Sequence, residues 1–290
     1  MMGISTEHQY LNLISRTVEE GVWIGNPRTG TECLTVINAD IDIDLRRGDF
    51  PVPTTRKFNW KMAIAEFLGY CKAFTNAGAF RALGAKTWDA NANENEAWLK
   101  NANRIGTDHM GKVYGAVATD WPKHDGSSIN LFRQVYEDLK AGKDNRGEIV
   151  TFWNPGEFEL GCLRPCMHTH QFSLLGNDLY LNSFQRSQDI LLGGAANIVQ
   201  VAFFLQLMAH ITGKRACKAN LKIVNAHIYD NQYPVLMEKG QLERVPYSPP
   251  GLIISPEIKT WDDVVNKMTL DHVELLGYKH HDPISYPFSV

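Results

Sequence analysis

Residues 163–172 read LRPCMHTHQF, and three of them can do chemistry: Cys166, His168 and His170. Three readings compete. On a strand, alternate residues share a face, so these three could offer one sulfur and two imidazole nitrogens to zinc. Structural zinc sites usually draw pairs of ligands from turns or helices, spaced by about two to five residues. A C-x-H-x-H run is not that pattern, and no second pair stands nearby. A free cysteine is otherwise a small apolar core residue. That is the default expectation for Cys33, Cys71, Cys162 and Cys217. The third reading is a nucleophile, which needs a thiolate beside a cation or ordered donors.

A cation follows in SFQRSQDILLGGAAN, which holds Arg186, Ser187 and Asp189. An Arg-Ser pair grips phosphate well, as a planar cation plus a hydroxyl donor. A cysteine strand running into that turn could set an anionic substrate beside a thiolate.

The elements that must position these groups are legible in part. Residues 7–20 have the period of an amphipathic helix. Residues 31–45 alternate apolar and polar and predict a strand or hairpin. Residues 59–74 predict a helix with Asn59 as a candidate cap. The Asn-rich stretch 91–106 predicts surface loop and a short helix, and 128–147 a helix ended by a glycine and a loop. Residues 148–155 predict a buried strand, 170–189 two strands about a Gly-Asn-Asp turn, and 221–231 another strand. Residues 197–213 predict a largely buried helix capped by Gly213. Strands and long helices without β-α-β alternation predict an α+β domain, a sheet with helices packed against it.

The 290 residues contain no linker, repeat or low-complexity stretch, so a single domain over 1–290 is expected. A net charge of -3 gives no case for a nucleic-acid binder, which usually shows a basic face. It leaves room for a local basic pocket. The N-terminus lacks a signal-peptide core. The run IVQVAFFLQLMA contains glutamines and reads as too short to span a bilayer. Five widely spaced cysteines argue against a disulfide framework and fit a reducing compartment. The expectation is a soluble, cytoplasmic protein with neither a membrane nor a nucleic-acid partner.

In chain order, Pro165-Cys166, QRSQD (185–189), LGGAANI (192–198), LMAHITG (207–213) and NAHIY (225–229) together resemble the thymidylate synthase family. Upstream, NPRTGTE (26–32) resembles that family's phosphate loop, AEFLGY (65–70) carries its glutamate, and KTWD (86–89) its folate-side tryptophan. VYG (113–115), DNRGEI (144–149) and the lid-like tail ISYPFSV (284–290) match in place, so the resemblance covers nearly the whole chain. It implies a mixed sheet with packed helices and a homodimer with shared active sites.

The resemblance also implies one-carbon transfer to C5 of a pyrimidine deoxynucleotide, dUMP to dTMP, with 5,10-methylenetetrahydrofolate as co-substrate. C5 of uracil is not nucleophilic until a thiolate adds to C6, and Cys166 would be that thiolate. Arg28, Gln185, Arg186 and Ser187 would bind the nucleotide, with Arg146 reaching the phosphate across the dimer. His227 and Tyr229 would hold the sugar 3′-hydroxyl. Asn197 would read the pyrimidine edge, its amide offering the donor and acceptor that suit uracil O4 and N3–H. It thereby favours dUMP over dCMP. Glu66 would handle protons through ordered water, and Asp189 would bind the folate pterin. Trp88 and Tyr114 would line the site, with Leu163 beside the reacting carbon and Gly193 and Val290 on the folate side. No metal is implied. Trp88 and Leu163 would also be ordinary core residues, whereas a bare Glu66 on an apolar helix face would be costly.

Four departures sharpen an alternative. The second arginine of a family pair is Gly147, with Arg56 or Lys57 as candidate substitutes. The histidine after the nucleophile is Met167, a second tryptophan is Asn91, and residues 71–110 look unlike the family. A C5 methylene can take a hydride and become methyl, or take water and become hydroxymethyl. The outcomes differ in how well water is excluded and folate held. Leu163, Trp88 and the Ser289-Val290 end favour hydride, while Asn91 and Met167 favour a changed folate side and a phage-like or specialised enzyme, in a host cytoplasm if viral. Methylation leads, with dUMP hydroxymethylation, then dCMP, as the alternative. A non-catalytic nucleotide- or RNA-binding dimer is the reading from another class. The joint presence of Cys166, Glu66, Asn197 and Asp189 argues against it.

Overall fold

The computed structural model describes residues 4–26 and 30–288. Six strands form one mixed sheet: β1 (Val22–Asn26), β2 (Thr31–Asp44), β3 (Ile149–Thr151), β4 (Met167–Leu175), β5 (Asp178–Asp189) and β6 (Arg215–Tyr229). Their order is β1-β2-β6-β5-β4-β3. Every neighbouring pair is antiparallel except β5 and β6. Two short antiparallel pairs, Gly251–Ile254 with Val273–Leu276 and Trp121–Pro122 with Ser128–Ile129, lie apart from it.

Parallel neighbours need a crossover connection. Four helices matter here: α1 (Thr6–Glu20), α2 (Trp60–Cys71), α3 (Leu131–Lys140) and α4 (Ala195–Thr212). Helix α4 makes the crossover, so the α+β domain contains one β-α-β unit that the linear pattern hid. A π turn, Ile190–Gly194, leads into α4 without a break, and Gly213 closes it in the left-handed conformation at φ 69°. The continuous helical stretch Ile190–Thr212 is 23 residues, long and apolar enough to cross a bilayer, contrary to the sequence expectation. Most of it is buried inside the fold instead. Phe203 and Phe204 are fully buried, each contributing on the order of 2–3 kcal/mol. Helix α2 packs behind α4, started by Asn59, whose side chain accepts from the Met62 N–H at 3.2 Å.

The central strands carry the site, and the sheet is not flat. In β6, Cys217, Ala219, Leu221 and Ile223 are buried and alternate with Lys218, Asn220, Lys222 and Val224. Beyond Asn225 the alternation stops, and Ala226, His227, Ile228 and Tyr229 are all buried. Strand β2 switches at the same level: Ile41 and Ala39 are buried on one side of Asn38, Val36 and Leu34 on the other. Asn38 itself has φ 57°. Register is kept across the switch, Ala39 opposite Ile223 and Ile37 opposite Asn225. Residues 31–44 are therefore one kinked strand rather than a hairpin. The predicted strand over 148–155 shrinks to three residues because Pro155 opens a 3-10 turn, Pro155–Leu160.

Candidate active site

Cys166 lies just before β4 and is half-buried. Its N–H donates to the Tyr114 hydroxyl at 3.0 Å. Its carbonyl accepts from the Arg186 N–H at 2.9 Å. The Arg186 guanidinium donates to the Pro165 and Arg164 carbonyls at 3.0 and 3.1 Å, and Nη2 stands 3.7 Å from the Cys166 sulfur. The other four cysteines are buried, as expected. Burial pushes the Cys162 thiol up to about 12 and the Cys71 thiol higher still, so neither is a nucleophile.

The three-ligand face suggested by CMHTH does not form. The β4–β5 register shifts between Met167 and Thr169, which breaks the alternation. His168 sits against Trp153 and bonds to the Thr169 hydroxyl at 2.9 Å. His170 is enclosed by Phe67, Phe152 and Phe204, with Nδ1 at 2.7 Å from the Ser183 hydroxyl. Met167 is 1% exposed and fills core space.

Tyr114 is pinned from three sides. Its ring stacks on Tyr70 at 4.6 Å and meets Trp88 edge-on at 5.5 Å. Its φ is 43°, an uncommon value for a bulky residue. Gly115 beside it has no room for a side chain: a Cβ there would lie 1.8 Å from the Tyr70 carbonyl oxygen. Burial raises the Tyr114 hydroxyl well above its ordinary range, so it stays a neutral phenol.

Glu66 projects from α2. Thr87 donates to Oε1 at 2.5 Å and Gln200 donates to Oε2 at 2.7 Å. Burial pushes this carboxyl up, partly offset by Thr87, Gln200, Tyr70 and Trp88. Gln200 Oε1 accepts from Asn197 Nδ2 at 2.9 Å. Asn197 Oδ1 accepts from Gln185 at 2.8 Å and more weakly from Gln188 at 3.4 Å. Glu66, Asn197 and Gln185 thus belong to one hydrogen-bonded chain from α2 through α4 to β5. Gln200 and Gln188 complete it, and sequence reasoning missed both. A signal existed for Gln200: a polar residue inside an apolar run, three positions after Asn197 and so on the same helix face.

Asp189 and His227 are register partners across the parallel β5–β6 pair. His227 Nδ1 lies 2.8 Å from Asn225 Oδ1, and its ring stands edge-on to Tyr229 at 5.2 Å. Asp189 Oδ1 caps the π turn, accepting from the Leu191 and Leu192 N–H groups at 3.1 Å each. Its Oδ2 accepts from Gln232 Nε2 at 2.7 Å, and that amide also donates to the Pro287 carbonyl of the tail at 3.1 Å. Burial raises the Asp189 carboxyl. A Cβ on Gly193 would lie 3.8 Å from Asn197 Oδ1, so the glycine stands beside that amide. Leu163 packs at the core's edge and Trp88 is buried. Ser187 follows Arg186 on β5 and is half-buried.

Not every expected residue joins this cluster. Arg146 is exposed, has φ 70° and makes no ion pair among the described residues. Arg28 and the Ser289-Val290 end lie outside the described residues. Arg56 cannot replace a missing phosphate cation as the sequence suggested. It is buried, donates to the Leu191 carbonyl at 2.6 Å and lies between the Phe58 and Tyr286 rings.

The family model described as thymidylate synthase matches residues 8–290. The thymidylate synthase of Pasteurella multocida (strain Pm70) is 57% identical over 281 residues, 97% of this chain and 99% of that protein. Those of Haemophilus influenzae (strain PittEE) and Shewanella sediminis (strain HAW-EB3) are 57% and 56% identical over 282 residues, with the same coverage. Residues 71–110 fall within the matched stretch.

Proposed function

The chain belongs to the thymidylate synthase family, and on that premise we propose how its residues divide the reaction. The enzyme is a thymidylate synthase-type methyltransferase that converts dUMP to dTMP, with methylenetetrahydrofolate as co-substrate. The hydroxymethylase alternative is not favoured by relatives this similar along their whole length.

The observation that carries the assignment of roles is the half-buried Cys166 with the Arg186 guanidinium 3.7 Å from its sulfur. A cation there favours the thiolate. In our reading the sulfur adds to C6 of uracil, and the C5=C6 electrons move through C5 onto O4. C5 then bonds to the incoming carbon and loses its proton, and those electrons expel the carrier nitrogen to leave a methylene at C5; a hydride adds to the methylene and the sulfur departs as the C5=C6 bond returns. Folate, when bound, supplies that carbon and the hydride that completes the methyl group. We assign the folate side to Asp189, Leu163, Trp88 and Gly193. Asn197 presents its second N–H and an oxygen lone pair to O4 and N3–H. Glu66 moves protons, Tyr114 holds the Cys166 backbone, and His227 and Tyr229 hold the sugar. Arg186, Ser187 and Gln185 hold the nucleotide, with Arg28 as a further phosphate cation.

We further infer a homodimer. Helix α4 covers one face of the sheet, while the other exposes Phe184 (38%) and Val224 (46%) among Asn182, Asn220 and Lys222. A second copy on this face would bring its own exposed arginine, at position 146, to the phosphate. The cytoplasm is the proposed location.

The test is incubation with dUMP and methylenetetrahydrofolate, with both products read by mass spectrometry. Thymidylate with dihydrofolate is expected. Cys166→Ala should abolish turnover and keep dUMP binding; a variant that still turns over would overturn the nucleophile.

A further inference from the structure

Gln200 is fully buried in the middle of an apolar helix, where an amide is costly unless every polar atom is matched. Its matches are directional. Nε2 faces two acceptors, Glu66 Oε2 at 2.7 Å and the Ala63 carbonyl at 3.2 Å. Neither can be satisfied by an amide oxygen while Glu66 is ionised, so the Gln200 NH2 end has one possible direction. Its Oε1 must then face Asn197, and it accepts from Nδ2 at 2.9 Å.

The same logic passes to Asn197. With its NH2 end drawn toward Gln200, its oxygen faces the Gln185 and Gln188 amide nitrogens. Gln185 is oriented in turn, donating to the Ser187 carbonyl at 3.2 Å and accepting from Gln188 at 3.1 Å. A flipped Asn197 would put oxygen against oxygen at Gln200 and NH2 against NH2 at Gln185. The orientation seen leaves one N–H and one lone pair, the weak Gln188 contact yielding, which fits the O4 and N3–H of uracil. Cytosine offers N4–H and a bare N3, the reverse pattern.

We propose that Gln200 is a positioning residue for base choice: it relays the polarity of the Glu66 carboxylate to Asn197 and so locks the amide that distinguishes uracil from cytosine. The inference rests on the reading of Asn197 as the base-facing residue.

The test is Gln200→Met, which keeps the volume and removes both polar ends. Gln206→Met on the same helix is the control; that side chain donates to the Leu252 carbonyl instead. Binding of dUMP and dCMP is measured for the wild type and both variants, with circular dichroism to confirm folding. Gln200→Met should lower the dUMP-over-dCMP affinity ratio at least about tenfold, with the ratio in Gln206→Met unchanged. Gln200→Glu, which keeps an acceptor toward Asn197 and a donor toward Glu66 by sharing one proton with that carboxylate, should recover part of the ratio and covers the case in which the Met variant does not fold. A folded Gln200→Met with the wild-type ratio overturns the relay. Failure of the wild type to bind dUMP would instead overturn the underlying function.

Discussion

Arg186 grips Cys166 at two points, through its backbone N–H on the Cys166 carbonyl and its guanidinium beside the sulfur. The guanidinium is itself held by two carbonyls of the preceding loop. It therefore orders the loop and faces the thiol at once. A lysine cannot do both, because it has no planar fork. Arg186→Lys should slow alkylation of Cys166 by iodoacetamide about tenfold at neutral pH, with a comparable loss in kcat/KM. An unchanged alkylation rate would show that the cation does not act on the sulfur.

Tyr114 gives the same loop a second anchor. Tyr114→Phe keeps the stack on Tyr70 and removes the acceptor of the Cys166 N–H. Losing a hydrogen bond of this kind costs about 0.5–1.5 kcal/mol. We expect a lower Tm and a fall in kcat, with dUMP affinity changed only a few-fold. A variant with wild-type Tm and kcat would make this hydrogen bond incidental.

These two anchors show what sequence could and could not reveal. Cys166, Glu66, Asn197 and Asp189 were legible because each stands in a short motif whose order along the chain is informative. The helix of 197–213 was legible from its apolar run, and its cap from Gly213. What escaped depends on contacts between distant segments. Gln188 and Gln200 acquire meaning only when β5, α4 and α2 meet. The early part of β6 was missed because Arg215, Lys218 and Asn220 dilute the apolar signal. The parallel β5–β6 pairing leaves no local trace. The kink at Asn38 is a tertiary match between two strands, so alternation alone read it as a possible hairpin.

Glu66 should trade stability for activity. Burial raises its carboxyl, so ionisation weakens the fold: that cost is absent at low pH and is incurred as pH rises through the raised value. Glu66→Gln removes the charge. The new amide can turn its oxygen to Gln200 and its NH2 to the Thr87 hydroxyl, which also accepts. At pH 8 the variant should unfold at a Tm equal to or above wild type, with kcat lower by roughly a hundredfold. The acid limb of the wild-type profile, above the ordinary carboxylate range, should vanish. Parallel loss of Tm and kcat would mean that Glu66 is structural.

His170 sets an acid limit on the fold. Burial, with a smaller push from His168, depresses its imidazole to about 3, against an ordinary 6.5. Its Nε2 has no hydrogen-bond partner among the described residues, so a proton there would be charged and unmatched inside an aromatic cage. A depressed histidine binds its proton more readily in the unfolded chain. The stability it permits is therefore complete above pH 6.5 and is lost as pH falls toward 3, by about 1.4 kcal/mol per pH unit. Glu66 and Asp189 act in the opposite direction, their carboxyls being raised, but they are the same in a His170→Leu variant. The difference between wild type and variant thus isolates the imidazole. Urea unfolding at pH 7, 6 and 5 should show wild type losing about 1 kcal/mol more than His170→Leu over the last unit. Parallel curves would mean that His170 meets its proton equally well folded and unfolded, and the aromatic cage would not be the source of acid sensitivity.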